Sequence, residues 1–526
     1  MDLKHLEGMD RAMDKNRGDQ VRLGIGLLFI LGVMLYAASQ SVGEVSIMLV
    51  MAAMVGGYMA MNIGANDVAN NVGPAVGARA LTLGSALVIA AVFEAAGAII
   101  AGGEVVGTIR NGIIDPNMIP DTDTFVWIMM SALIAGALWL NLATAVGAPV
   151  STTHSIVGAV LGGGMAAAGI DIVNWGTMGG IAASWVISPM LGGMVAAAFL
   201  YLIKRSITYK PDMMNAARKV VPWLVATMAM IFSVYLLQKG LKQIIHISLL
   251  QAAMIGAVIA VGVFALVRWQ VKQPKNLQLE GKQGVNSLFT VPLIFAAALL
   301  SFAHGSNDVA NAIGPLAAIV DVYTAHPGQF GTSAAIPLWV MMIGALGIAI
   351  GLALFGPKVI RTIGSGITEL DQMRAFCIAM AATLTVIIAS QMGLPVSSTH
   401  IAVGGVFGVG FLREYLKKNY DRMVLEIKEH HPEDDQLAID AFLQRFSNSD
   451  IQQKGVMLRD LKALSKANED PAHFSKGERK NLKKVYRKEL VKRSQVMRIV
   501  SAWVITVPAT ALMAAMIFFM LRGMLA

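Results

Sequence analysis

The chain has 526 residues, of which 56% are hydrophobic and only 14% are charged. These proportions exclude an ordinary soluble domain and indicate a helical membrane protein with many spans. A single cysteine, Cys377, excludes an internal disulfide, and the net charge of +9 resides mostly in lysines and arginines between apolar runs. Basic loops of a membrane protein explain that charge better than nucleic-acid binding, so no nucleic-acid partner is expected.

Thirteen apolar runs of spanning or near-spanning length follow one another along the chain. They lie at 22–38, 44–63, 83–103, 125–147, 151–168, 175–203, 220–237, 246–267, 288–304, 336–356, 373–393, 396–412 and 498–521. Since about 20 residues are needed to cross the hydrocarbon core, the short runs 151–168 and 396–412 either cross or form hairpin-like pairs of half-helices. The sequence therefore predicts an all-α polytopic membrane protein with about 11–13 spans.

Positive charges orient these runs. Residues 1–21 carry four lysines and arginines, which places the N-terminus in the cytoplasm. Alternate crossing then leaves further basic loops inside and the acidic stretch 115–123 outside. We expect a multi-pass protein of the cytoplasmic (inner or plasma) membrane, and the N-terminal residues lack the pattern of a signal peptide.

Two segments of the chain are near copies of each other. Residues 64–74 have the sequence GANDVANNVGP, and residues 305–315 have the sequence GSNDVANAIGP. Each places an aspartate, Asp67 or Asp308, in an otherwise apolar run. A carboxylate at membrane depth is costly and usually marks a pathway or a binding site.

A second pair of segments follows in the same order. Residues 148–158 have the sequence APVSTTHSIVG, and residues 394–404 have the sequence LPVSSTHIAVG. On the span count, the first aspartate motif ends an inward-going helix and the second ends an outward-going one. The halves are therefore predicted to be inverted repeats, which are typical of secondary transporters with broken helices and a site near the membrane midplane.

The duplication divides the chain into seven parts. These are a cytoplasmic segment 1–21, an extra N-terminal span 22–43, a first transport repeat 44–203, linker and scaffold spans 204–287, a second transport repeat 288–412, a charged cytoplasmic loop 413–497, and a final span 498–526 that belongs to the second repeat. The charged loop has either a topogenic role or a regulatory one.

The side chains of the aspartate motifs suit a cation. Asparagine and aspartate recur at three- and four-residue spacing, so they share one face of a helical turn. Gly64 and Gly73-Pro74 are expected to loosen and end that helix, which exposes carbonyl oxygens beside the carboxylate. Such hard oxygen ligands suit a sodium ion, or else they form a proton pathway. The candidate cation-binding residues are Asn66, Asp67, Asn307, Asp308 and, from the 83–103 run, Glu94.

The two halves are not chemically equal. Ala312 occupies the position that Asn71 has in the first motif, and Ile348 aligns with Glu94. Glu94 is thus an asymmetric intramembrane carboxylate that either serves coupling or pairs with a buried polar group. For the asparagines and aspartates, the alternative is a clamp between helices that binds no ligand.

Pro149 and Pro395 each precede a run of hydroxyl side chains and a glycine-rich helix. Proline favours a helix start, and serine and threonine favour its N-cap. The backbone N–H groups and the dipole at such a start attract an anion, so two facing starts can surround a tetrahedral oxyanion. Ordinary capping is the alternative. His154 and His400 end these runs and serve either as proton relays or as structural hydrogen-bonding groups.

The four motifs resemble the signatures of the inorganic phosphate transporter (PiT) family. Residues 93–97 (FEAAG), 108–115 (TIRNGIID) and 301–308 (SFAHGSND) are similar to its sodium-coupled members. The resemblance implies an inverted-repeat transporter that moves phosphate with sodium or protons and assembles as a homodimer. It also implies a set of phosphate-binding residues. These are Asp67, Asn70, Ser151, Thr152, Thr153, Asp308, Asn311, Ser397, Ser398 and Thr399.

The leading hypothesis is a symporter that imports inorganic phosphate by alternating access, with sodium as the expected coupling ion. Proton coupling, a metal–phosphate cargo and another tetrahedral oxyanion such as sulfate stay open. A channel is a further alternative. An intramembrane aspartyl hydrolase is distant, since it leaves the asparagines and hydroxyl-rich helix starts unexplained. The chain is expected to be no enzyme, to need no cofactor or metal beyond the transported ion, and to lie among membrane lipids.

Overall fold

The computed structural model describes residues 3–40, 46–146, 150–240, 247–273, 280–324, 336–363, 370–429 and 493–525, together with residues 441, 444, 445 and 457. These residues are almost entirely helical. Extended pairing among them is limited to one bridge between Ile114 and Val173.

The first half of the chain contains seven described α-helices. They are α1 (Leu3–Gln40), α2 (Ile47–Gly77), α3 (Leu83–Ala101), the short α4 (Gly103–Gly107), α5 (Thr122–Val146), α6 (Thr152–Ala168) and α7 (Trp175–Ile203). Several begin where the sequence supplies a cap. Ser46, Thr82 and Asn174 each accept a backbone N–H in the first turn of α2, α3 and α7.

Nine further α-helices are described in the middle and second half of the chain. They are α8 (Met213–Tyr235), α9 (Leu249–Val271), α10 (Gly281–Leu288), α11 (Thr290–Asp308), α12 (Ala310–Thr324), α13 (Leu338–Ile363), α14 (Gln372–Gln391), α15 (Ser398–Glu429) and α16 (Arg493–Leu525). Within the described residues, eleven helical stretches are long and apolar enough to cross a membrane, and α10–α12 count as one of them. This confirms a polytopic helical membrane protein, at the lower end of the expected span number.

Helices of each half of the chain pack against helices of the other half, an arrangement that we call helix exchange. Helix α13 packs along α2, and α11 packs along α3, so each aspartate-bearing helix lies against a helix of the other half. Likewise α6 packs on α16, while α15 packs on α7. These reciprocal contacts relate α2 to α11–α12, α3 to α13, α5 to α14, α6 to α15 and α7 to α16.

Matched glycines make the closest approaches between the halves. A Cβ on Gly64 would overlap the backbone carbonyl of Ile348, and a Cβ on Gly305 would overlap that of Glu94. Gly64 and Gly305 hold the same place in the two motifs. The structure therefore supports the alignment of Glu94 with Ile348, because each faces the equivalent glycine.

One expectation about the first motif is wrong. Helix α2 does not end at Gly73-Pro74 but continues through Pro74 to Gly77, with no interruption at Asp67. A proline inside a helix removes one backbone hydrogen bond, and the continuous burial of the preceding residues 59–73 offsets that loss. In the second half α11 and α12 are separated only by Val309, directly after Asp308, and the backbone of Val309 keeps α-helical dihedral angles.

The charged region after the second repeat, expected to be a loop with some helix, is helical in its first part. Helix α15 continues past residue 412 to Glu429. Apart from residues 441, 444, 445 and 457, the segment 430–492 lies outside the described residues, as does Pro149.

The glycine contacts give a test of the helix exchange. Gly64→Ala is expected to lower the free energy of unfolding by about 1–3 kcal/mol, since its Cβ meets a backbone carbonyl that cannot move aside. Gly73→Ala, on the same helix with no atom within 4 Å of its Cβ, is the matched control. Thermal unfolding of the purified proteins should show a clear loss for Gly64→Ala alone. Equal stability of the two variants would contradict the packing.

Candidate functional site

Two buried carboxylates lie beside one histidine where the two halves meet. Asp67 belongs to α2, Asp308 ends α11, and neither side chain is exposed. His304 Nε2 is 3.0 Å from Asp308 Oδ2 and 3.7 Å from Asp67 Oδ2. One ligand atom from each of the three residues lies within 4.8 Å of the others. Oxygens at that separation can contact one cation together.

A hydroxyl group of the second half reaches Asp67. Thr399, in the first turn of α15, donates to Asp67 Oδ1 at 3.0 Å. Asn70, one turn after Asp67, donates through Nδ2 to Thr399 Oγ1 at 2.8 Å. The polar face of α2 is therefore bonded to the helix start of the opposite half.

The reciprocal contact holds Asp308. Thr152, in the first turn of α6, donates to Asp308 Oδ2 at 3.3 Å, and Ser398 donates to the same oxygen at 3.2 Å. Asn311 Nδ2 lies 3.2 Å from the hydroxyl oxygens of both Thr152 and Thr153. Each carboxylate thus bonds a hydroxyl from the other half, which brings the aspartate motifs and the hydroxyl runs into one site.

The two serines that precede these hydroxyls act as caps. Ser151 Oγ accepts the backbone N–H of His154 at 3.1 Å, and Ser397 Oγ accepts that of His400 at 3.2 Å. Thr153 donates to the carbonyl of Val396 at 2.9 Å, which ties the two helix starts together. The first amides of a helix have no intrahelical acceptor, so both starts present N–H donors in the buried interior.

Several side-chain oxygens in the site accept no hydrogen bond from any described residue. They are Asp67 Oδ2, Asp308 Oδ1, Asn307 Oδ1 and Asn311 Oδ1. Burying an acceptor without a donor is costly. A cation satisfies such oxygens, so the site offers a set of hard ligands suited to sodium.

Glu94 is joined to this centre through two side chains. Asn71 Nδ2 donates to Glu94 Oε1 at 2.7 Å, and His304 Nδ1 lies 3.2 Å from Glu94 Oε2. Glu94 itself is fully buried. The imidazole of His304 lies between Glu94 and the two aspartates, so it connects the three carboxylates.

Sequence reasoning did not assign a role to His304. A signal was present, because His304 lies four residues before Asp308 and so shares its helix face. The position was missed because the first motif has Ile63 at the equivalent place, and the duplication directed attention to shared residues.

The other two predicted asparagines lie one residue before the carboxylates. Asn66 Nδ2 donates to Thr144 Oγ1 at 3.0 Å, and Asn307 Nδ2 donates to Ser390 Oγ at 2.9 Å. Asn307 Nδ2 also lies 3.2 Å from the carbonyl of Leu394. Both side chains therefore link the motif helices to α5 and α14.

His154 and His400 meet each other behind the hydroxyl runs. Their ring centroids are 4.4 Å apart, and the ring of His154 lies 3.8 Å from that of Trp185. Trp185 donates to the carbonyl of Pro395 at 3.3 Å. This packing supports the structural alternative for the histidine pair more than a relay.

Comparison with known proteins agrees with these features. Residues 63–514 match the family model of the phosphate transporter family, PHO4. A protein of Helicobacter pylori strain J99 named "Putative phosphate permease" is 50% identical over 525 residues, covering 98% of each chain. A Haemophilus influenzae protein of the same name is 38% identical over 367 residues, covering 69% of this chain and 87% of that one. A solved structure titled "The sodium-dependent phosphate transporter" superposes with a TM-score of 0.72 at 30% identity, covering 91% of this chain and 100% of that chain.

The histidine between the carboxylates can be tested by its effect on stability. His304→Ala removes a side chain that lies within 3.2 Å of two buried carboxylates, and should lower the free energy of unfolding by about 3–5 kcal/mol. His154→Ala opens a similar space, but the ring of His154 packs against the rings of Trp185 and His400. Denaturation of both variants should show the smaller loss for His154→Ala. A larger loss there would contradict a central role for His304.

Proposed function

Because this chain belongs to the phosphate transporter family, we propose that it is a sodium-coupled symporter that imports inorganic phosphate across the cytoplasmic membrane by alternating access. One observation carries the proposal. Each aspartate motif is bonded to the hydroxyl-rich helix start of the other half, so an anion site and a cation site share residues. Either ligand therefore binds only when the two halves are packed together with these hydrogen-bonding groups adjacent.

The donors around the carboxylates suit phosphate. Two helix starts present N–H groups with favourable dipoles. Further donors now bond other groups of the site and would turn to phosphate as it binds; they are the hydroxyls of Thr152, Thr153, Ser398 and Thr399 and the amides of Asn70 and Asn311. Ser151 and Ser397 serve this site indirectly as caps. These hydroxyl, amide and backbone N–H donors are neutral, so none of them traps bound phosphate with a fixed positive charge.

The same carboxylates make phosphate binding depend on cations. Two unit charges of like sign 4 Å apart repel by about 4 kcal/mol at an effective dielectric constant of about 20. Phosphate therefore cannot approach Asp67 and Asp308 favourably unless cations bind too. Asp67, Asp308, Asn307 and Asn311 have oxygens available as ligands, which makes joint binding the coupling step.

Sodium is the proposed ion because the available ligands are oxygens and because a structural neighbour is titled a sodium-dependent phosphate transporter. A proton is the second candidate. His304 lies between three carboxylates, and an imidazole in that position can take up and release a proton. With either ion, co-transport cancels the negative charge of phosphate and uses a negative-inside potential.

The helix exchange supplies the proposed route for alternating access. Inverted repeats can interchange conformations, so a state open to one side has a counterpart open to the other. We place the N-terminus in the cytoplasm on the basis of the loop charges. Assembly as a homodimer among membrane lipids is proposed on the family resemblance alone.

Uptake into proteoliposomes tests the coupling. An inward sodium gradient should drive accumulation of labelled phosphate, and a proton gradient without sodium should not. Asp67→Asn and Asp308→Asn should each abolish sodium-driven uptake, since each removes a charged ligand. Normal cation-dependent uptake by both variants would contradict the assignment. Competition by sulfate in the same assay would identify a less specific oxyanion carrier.

The hydroxyl donors can be tested by substitutions that keep side-chain volume. Thr399→Val removes a hydroxyl that bonds Asp67 and Asn70, and should raise the KM for phosphate about tenfold, which corresponds to about 1.4 kcal/mol. Thr383→Val is the matched control, because that buried hydroxyl bonds only Ala379 within its own helix. An equal effect of both substitutions on KM would place the phosphate site elsewhere.

A further inference from the structure

A cavity of about 1130 Å³ lies beside the transport site, between α1, α2, α5 and α13. One wall is polar and includes Tyr58, Asn62 and Asn141, with Asn141 Nδ2 donating to Tyr58 Oη at 2.8 Å. Helix α1 supplies a more apolar wall, and Asp19 and Arg22 pair at 3.1 Å near the start of its candidate span, Gly18–Gln40. At about 30 Å³ per water molecule, the cavity has room for a hydrated phosphate ion.

The cavity reaches the aspartate motif directly. Ala65 and Thr144 both line it. The hydroxyl of Thr144 accepts a hydrogen bond from the side-chain amide of Asn66, and Asp67 directly follows Asn66 in the chain. The Asn66–Thr144 hydrogen bond therefore lies at the wall of the cavity, and Asn66 directly precedes the buried Asp67 on α2.

The second half repeats this hydrogen bond at the corresponding place. Asn307, which precedes Asp308, donates to Ser390 on α14 as Asn66 donates to Thr144 on α5. Helices α5 and α14 are equivalent, and both hydroxyls lie in the last turns of their helices. In an inverted repeat, equivalent helix ends lie on opposite sides of the membrane. The two hydrogen bonds therefore flank the site from opposite sides.

We propose that the cavity is an aqueous vestibule on the cytoplasmic side, that Asn66–Thr144 is the gate that closes the transport site against it, and that Asn307–Ser390 is the outer gate. The assignment of sides rests on the proposed orientation, and the passage of phosphate rests on the proposed function. Helix α1 completes the vestibule, packed so closely that a Cβ on Gly26 would lie 3.0 Å from Met61 Cε. The inner gate is a single neutral hydrogen bond, whose net strength of only about 1 kcal/mol allows it to open, while at the outer gate Asn307 also donates to the carbonyl of Leu394.

Cysteine labelling tests the vestibule without measuring transport. In a Cys377→Ala background, Asn141→Cys should react with a charged, membrane-impermeant thiosulfonate in inverted membrane vesicles. Leu142→Cys is the matched control, because Leu142 is the next residue and is also exposed but does not line the cavity. Fast labelling of Asn141→Cys alone is the expected result. Equal rates for the two variants, or labelling of Asn141→Cys from the outer side, would overturn the vestibule.

The gates are tested with a reporter inside the site. Ser398→Cys is buried at the carboxylate pair, so its labelling requires an open gate. Adding Thr144→Val, which removes the acceptor of Asn66, should raise its labelling rate about tenfold in inverted vesicles and not from outside. Adding Ser390→Ala instead should raise the labelling rate from outside and not in inverted vesicles. Thr144→Ser, which keeps the hydroxyl, should leave the labelling rates from both sides unchanged.

The outcomes separate this proposal from the transport function. Equal effects of Thr144→Val and Ser390→Ala on both sides, or no effect of either, would overturn the gate assignment whether or not phosphate is carried. The expected one-sided effects, together with absent phosphate uptake by the protein without substitutions, would uphold the gates and reject phosphate as the cargo. Each measurement is made on the full chain in its membrane.

Discussion

The arrangement depends on the burial of two carboxylates, Asp67 and Asp308, in one place. Like charges in a buried setting repel and lose hydration, so this pairing is stable only with compensating donors or cations. Hydroxyls and amides from the opposite half supply part of that compensation, and His304 supplies another part. The oxygens that have no donor among the described residues are the basis of the proposal that a cation binds in the same site as the anion. Helix exchange, capped helix starts and glycine contacts all serve to bring these groups together.

The site is asymmetric in one connected group of residues. Asn71, Glu94 and His304 form a polar chain that leads to Asp308. Their equivalents in the repeat are Ala312, Ile348 and Ile63, which are apolar and fully buried. One side of the site therefore carries an extra carboxylate and an imidazole, while the matching side is sealed by hydrocarbon. His304 Nε2 lies 3.0 Å from Asp308 Oδ2 but 3.7 Å from Asp67 Oδ2, so the imidazole distinguishes the two aspartates.

Much of this site could be predicted from the sequence, because its parts are duplicated. The paired motifs located Asp67, Asp308 and the hydroxyl runs, and cap preferences located the starts of α6 and α15. Sequence could not predict the crosswise bonding, since which halves touch depends on the packing of α2 against α13 and α3 against α11. The uninterrupted helix at Pro74 was missed for a related reason, because tertiary burial outweighed the local preference of proline. His304 was missed because it breaks the repeat.

The most direct test of this account is equilibrium binding of phosphate to the purified protein at increasing sodium concentration. Joint occupation of one site predicts that phosphate affinity rises steeply with sodium, and that Asp308→Asn weakens this dependence because it removes one charged ligand. Reciprocal linkage requires phosphate to raise the affinity for sodium by the same factor. Phosphate affinity that is equal with and without sodium would contradict the shared site.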